Sequence, residues 1–167
     1  NFSTPITANT EITASWQINT YVIEYKLNGG ENNEDNVKSY TIETPTIALQ
    51  NPTKTGYTFN GWYAEENFEN QVTEIALGSF GNIKIYAKWT AITFTVRFNF
   101  NGGTAHGLSF AIQDVIEGDT VDELHGNDLP TKARHEFKGW YKNLNDEQPY
   151  DFSTPITEDI TLIAKWE

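Results

Sequence analysis

The sequence predicts a mainly β (α+β) chain in which one small module occurs twice in tandem. Three observations point there: a motif series that recurs in order, strict alternation of apolar and polar residues, and an aromatic content of 14% in a chain without cysteine. So many large β-forming side chains in an otherwise polar chain concentrate the apolar surface into strands.

The repeat emerges when the chain is read against itself. Phe2-Ser3-Thr4-Pro5-Ile6-Thr7 returns as Phe152-Ser153-Thr154-Pro155-Ile156-Thr157. Ala14-Ser15-Trp16 returns as Ala87-Lys88-Trp89 and as Ala164-Lys165-Trp166. Between these endings, Asn28-Gly29-Gly30 matches Asn101-Gly102-Gly103, Pro52-Thr53-Lys54 matches Pro130-Thr131-Lys132, and Gly61-Trp62-Tyr63 matches Gly139-Trp140-Tyr141. The division follows: residues 1–17 match the end of a preceding repeat, 18–90 form a first module and 91–167 a second. With no methionine at all, the chain reads as an excerpt of a longer protein. For residues 1–17 the expectation is a hairpin or strand pairing with a nearby sheet.

Each module reads as strands. Tyr21, Ile23, Tyr25 and Leu27 alternate with Val22, Glu24 and Lys26, and Phe94, Val96, Phe98 and Phe100 alternate likewise, the period of a half-buried strand. Asn-Gly-Gly ends that strand, because Asn and Gly tolerate positive φ. A second strand is expected over 37–43 and 110–116, a third over 57–63 and 137–141, and a last one over 83–89 and 160–166. Residues 46–50 and 121–124 are candidates for a short crossover helix or a loop. In the third strand, strict alternation sets Trp62 opposite Phe59 and Trp140 opposite Phe137. A unit of about 70 residues is marginal, so the aromatic rings, each burying about 150–250 Å², must form the core.

The run from Pro52 to Tyr63, Pro-Thr-Lys-Thr-Gly-Tyr-Thr-Phe-Asn-Gly-Trp-Tyr, closed by Ile85-Tyr86-Ala87-Lys88-Trp89, resembles the Listeria–Bacteroides repeat, also called the internalin B repeat. The resemblance covers nearly the whole chain. It implies tandem β-grasp (ubiquitin-like) modules of an extracellular bacterial surface or secreted protein, with a stalk or adhesion role. The second module departs from the pattern where Ala133-Arg134-His135 replaces Thr55-Gly56-Tyr57, and it holds five extra residues between Asn-Gly-Gly and its Trp (Asn101 to Trp140 is 39, Asn28 to Trp62 is 34).

Composition and motifs restrict the chemistry. Asp and Glu number 23 against 11 Lys and Arg, a formal charge of −12, which opposes binding to nucleic acid or anionic lipid. No apolar run reaches the roughly 18 residues of a membrane span. His106, His125 and His135 lack metal-ligand spacing, and Glu31, Glu34 and Asp35 lack the order of a calcium loop. No nucleophile elbow, phosphate-cradling glycine pattern or singled-out carboxylate pair is present. The expectation is therefore a non-enzymatic module without cofactor, catalytic residue or metal.

Two roles are weighed. Only four residues separate Trp89 from Phe94, a reach of about 13–14 Å, so neighbouring modules should touch and form a semi-rigid spacer presenting other domains of the same protein. The alternative is adhesion to a host protein or glycan through an exposed aromatic face, with Trp62, Trp140, Tyr63 and Tyr141 as candidate partner-binding residues. Against these rings stands ordinary burial under the crossover. Free strand edges would allow weak self-association.

Overall fold

The computed structural model describes residues 5, 7–9 and 11–167. The first repeat contains β1 (Thr20–Lys26), β2 (Ser39–Thr41), β3 (Ile47–Ala48), β4 (Tyr57–Tyr63), β5 (Gln71–Val72), β6 (Glu74–Ile75) and β7 (Ile83–Ala91). The second contains β8 (Thr93–Asn99), β9 (Phe110–Ile116), β10 (Phe137–Tyr141) and β11 (Ile160–Trp166), plus one 3-10 turn at Gly126–Asp128. These strands form a five-stranded sheet in the order β2-β1-β7-β4-β5, a four-stranded sheet in the order β10-β11-β8-β9, and a small β3-β6 pair. In both larger sheets the first and last strands of the repeat lie side by side and parallel, Ile23 against Ile83 and Val96 against Ile160.

Alternation predicts the buried face of the first and last strands of each repeat correctly. Ile85, Ala87, Leu162 and Ala164 are buried, while Lys84 and Thr161 just before them are exposed and Tyr86 and Ile163 between them are half-buried. The buried side chains fall into two clusters, one centred on Ile23, Tyr40, Trp62 and Ile85, the other on Phe98, Phe100, Trp140 and Leu162. Each repeat thus has a core of its own.

The third strand corrects the alternation argument. A bulge between Phe59 and Trp62 shifts the register against β7, and the same shift occurs between Phe137 and Gly139 against β11. An extra residue in a strand turns the next side chain to the other face. Phe59 and Trp62 therefore share a face with ring centroids 5.4 Å apart, and Phe137 and Trp140 do so at 5.3 Å. Gly61 and Gly139 make the bulge, at φ 117 and 116, a region that residues with a Cβ rarely adopt.

Neither candidate crossover helix forms. Ile47 and Ala48 pair with Ile75 and Glu74, and Leu49 N–H donates to Thr73 O at 3.0 Å. Pro45 and Pro52 bracket the segment too closely for a helix to propagate. In the second repeat, Val121 and Leu124 are buried on an irregular path without strand that ends in the 3-10 turn. The five extra residues are divided between two places. Thr20 pairs with Thr41, 21 positions on, whereas Thr93 pairs with Ile116, 23 positions on. The remaining three lie in the crossover before Pro130.

The hairpin or strand expected for residues 1–17 is absent from the described part: Glu11–Asn19 is exposed and without strand, with Trp16 90% exposed. The rest of that expectation lies outside the described residues.

Because Gly139 holds the bulge that turns Trp140 inward, Gly139→Ala should destabilise the second repeat by about 1–3 kcal/mol. Urea unfolding followed by Trp fluorescence measures this. An unchanged midpoint would show that the bulge does not need glycine.

Candidate functional site

The repeated motifs converge on one knot at the end of each module. Asn28 and Gly29 turn the chain after β1 at φ 49 and 86, and Asn101 and Gly102 do so after β8 at φ 49 and 84. The Asn28 side-chain amide donates to Ala87 O at 2.8 Å, and that of Asn101 to Ala164 O at 3.0 Å. The closing Trp seals the same turn: Trp89 Nε1–H donates to Leu27 O at 2.9 Å and Trp166 Nε1–H to Phe100 O at 3.0 Å. Gly30 and Gly103 lie under these indoles, where an added Cβ would stand 2.5 Å from the ring. Lys54 Nζ donates to Asn28 O at 2.9 Å, and Lys132 Nζ reaches Asn101 O at 3.3 Å. Asn-Gly-Gly, Pro-Thr-Lys and the final Trp are distant in sequence because they are three strands of one knot.

The candidate partner-binding residues sit elsewhere, and mostly inside. Trp62 is 2% exposed and Trp140 0%, so neither indole face is open to a sugar ring or a protein partner. Trp62 packs edge-on to Tyr25 at 5.4 Å and Trp140 to Phe98 at 4.9 Å. Trp62 Nε1–H donates to Gln50 O at 3.0 Å. Trp140 Nε1 has no protein acceptor; the residue that corresponds to Gln50 is Asp128, in the 3-10 turn. Tyr141 is buried beneath Lys165, whose Nζ lies 4.5 Å from the ring centroid. Tyr63 is half-buried against Phe68, centroids 5.5 Å apart. The structure does not gather these four side chains into a common surface.

What the structure does build is a joint between the repeats. β7 ends at Ala91 and β8 begins at Thr93, so Ile92 alone links the two sheets. Its N–H donates to Gly56 O in the first repeat at 2.8 Å, and its carbonyl accepts from Glu117 N–H in the second at 2.8 Å. Gly56 is buried at this joint. Beyond Glu117, Gly118 N–H donates to Ile156 O and Ile156 N–H to Asp119 O, both at 2.8 Å, which ties the contact turn to the second core. Sequence reading counted four residues between Trp89 and Phe94 as a connection. Strand periodicity continues through three of them, which was the available signal.

Among the described residues, no group of three or more His, Cys, Asp or Glu side chains is placed to hold a metal. His106 pairs with Asp128 at 2.9 Å on the surface. Burial pushes the Tyr40 phenol above its ordinary range, with its OH donating to Gly81 O at 2.7 Å, and burial does the same to Tyr25 and Tyr150.

The family model of the Listeria-Bacteroides repeat domain matches the chain twice, over residues 21–88 and 94–165. The chain belongs to the Listeria-Bacteroides repeat family. It is 34% identical over 164 residues to a protein of Evansella cellulosilytica provisionally named a membrane protein, a match covering 92% of this chain and 22% of that relative. Internalin H of Listeria monocytogenes is 30% identical over 129 residues, 75% of this chain and 21% of its own. The chain thus spans about a fifth of the length of these curated relatives. Among the described residues, no helix is long and apolar enough to cross a membrane. The two matched Listeria-Bacteroides repeats coincide with the two cores, and the joint at Ile92 falls between them.

Two outcomes follow. Trp62→Phe removes a buried hydrogen bond while Trp140→Phe removes a donor with no protein partner, so the first should cost about 1 kcal/mol more in urea unfolding. Equal costs would overturn that distinction. Phenols held above the ordinary pKa of about 10 add stability that is complete below that pH and lost as pH rises through their folded-state values. The unfolding midpoint should therefore fall above about pH 10, together with the appearance of tyrosinate absorbance.

Proposed function

We propose that this chain is a structural spacer: a semi-rigid pair of β-grasp modules in an extracellular bacterial surface protein, presenting other domains of that protein and performing no catalysis. The observation that carries this reading is the Ile92 joint. A single residue hydrogen-bonded on both sides leaves little room for one module to swing against the next, whereas a flexible linker needs free backbone. The separate cores support treating residues 18–90 and 91–167 as modules; for 1–17 the support is the motif match alone.

The β-grasp assignment is supported by the mixed sheet with its first and last strands parallel at the centre and a crossover laid over one face, although that crossover contains no α-helix. Membership in a repeat family shared with an internalin supports the surface location. The signature residues serve turns, bulges and cores, which favours a scaffold over an enzyme. The adhesion alternative was to use exposed Trp62 and Trp140, and both rings are occupied in the core.

Residual dipolar couplings test the spacer reading. Both modules should report one alignment tensor, and the scattering envelope should be that of an elongated pair of fixed length. Two unrelated tensors would sink the reading.

A further inference from the structure

The turn at Gly56 and the turn at Arg134 have the same backbone. Tyr57 N–H donates to Lys54 O, and His135 N–H to Lys132 O, each at 3.1 Å. Gly56 has φ 75 and Arg134 has φ 62. A side chain is therefore compatible with this turn, at the modest cost of a left-handed residue. The fold of the repeat does not require the glycine.

The neighbouring repeat does. A Cβ at Gly56 would stand 2.5 Å from Glu117 O and 2.8 Å from Ile116 Cγ2. Both atoms belong to the second module, and the first is backbone tied through Glu117 N–H to Ile92 O at 2.8 Å, so it cannot yield without opening the joint. Arg134, at the equivalent place on the second module, is exposed.

We propose that the residue at the Gly56 position decides whether a repeat can seat the next one. Glycine admits the Ile116–Glu117 turn of the following module and makes a stiff joint. A side chain, as at Arg134, excludes a module seated in that way, so a repeat following the second module would be held differently or swing freely. Stiffness along such an array is then set repeat by repeat at a single turn position. This inference rests on the spacer reading and adds to it the residue that controls the joint.

The test is Gly56→Arg in the full chain, read by residual dipolar couplings. Gly81→Ala is the control, since Gly81 has φ 88 but nothing within 4 Å of its added Cβ. It imposes left-handed strain on the first repeat without touching the joint. Wild type and Gly81→Ala should each give one alignment tensor, and Gly56→Arg should give two while both cores keep their native spectra. If Gly56→Arg loses a core, Gly56→Asn carries the same test, because Asn tolerates a left-handed φ yet still brings the Cβ. One tensor in the folded Gly56 variant overturns this proposal and leaves the spacer reading standing. Two tensors in wild type overturn both. Two tensors in Gly81→Ala would trace uncoupling to strain and overturn the role of Gly56.

Discussion

The indole that closes each repeat is the contact on which the rest depends. Trp89 and Trp166 join the last strand to the turn after the first strand, 62 and 66 positions earlier in sequence. A module of this size is marginal on its own and has no cysteine with which to join its ends. One flat ring does so by covering a glycine, filling the space beside Phe59 or Phe137, and donating to a carbonyl that also accepts from Gly30 or Gly103 N–H within the turn. The parallel alignment of first and last strands follows from that closure, since no short loop can join parallel neighbours.

The knot also accounts for the composition of the family signature. Its glycines are of two kinds. Gly30 and Gly103 make room for a ring, while Gly61 and Gly139 supply a backbone angle that turns a Trp inward. Gly56 belongs to neither kind. Its turn tolerates Arg in the second repeat, and its bareness is matched to the adjoining module. Intramodule and intermodule requirements thus occupy neighbouring positions of the same motif, and sequence inspection alone would treat them as one pattern.

The two repeats are not equivalent inside. The first satisfies its central indole N–H with Gln50 O, and the buried Asn36 completes that crossover by donating to the same carbonyl at 2.9 Å and accepting from Gln50 N–H at 2.8 Å. The second has three more crossover residues and spends them on a 3-10 turn, with Val121 and Leu124 filling the core instead. The first crossover thus adds a polar network to its core residues Ile47 and Leu49, whereas the second contributes Val121 and Leu124 to its core.

The sequence by itself determined the repeat, its period, the first and last strands of each repeat and their buried faces, because these depend on local patterns: identity in series, a period of two, and turns made by Asn and Gly. It also marked Arg134 as a departure from the pattern of the first repeat. Only the tertiary structure decided the rest. Trp62 and Trp140 face inward because a one-residue bulge reverses the alternation, and a bulge is defined by register against a partner strand that local sequence does not show. The first crossover became strand-like because its hydrogen-bond partners, Thr73 to Ile75 and Asn36, come from elsewhere in the chain. The joint at Ile92 was hidden for the same reason: the need for glycine at position 56 is imposed by Glu117, 61 residues away in sequence, and exists only once two folded modules meet.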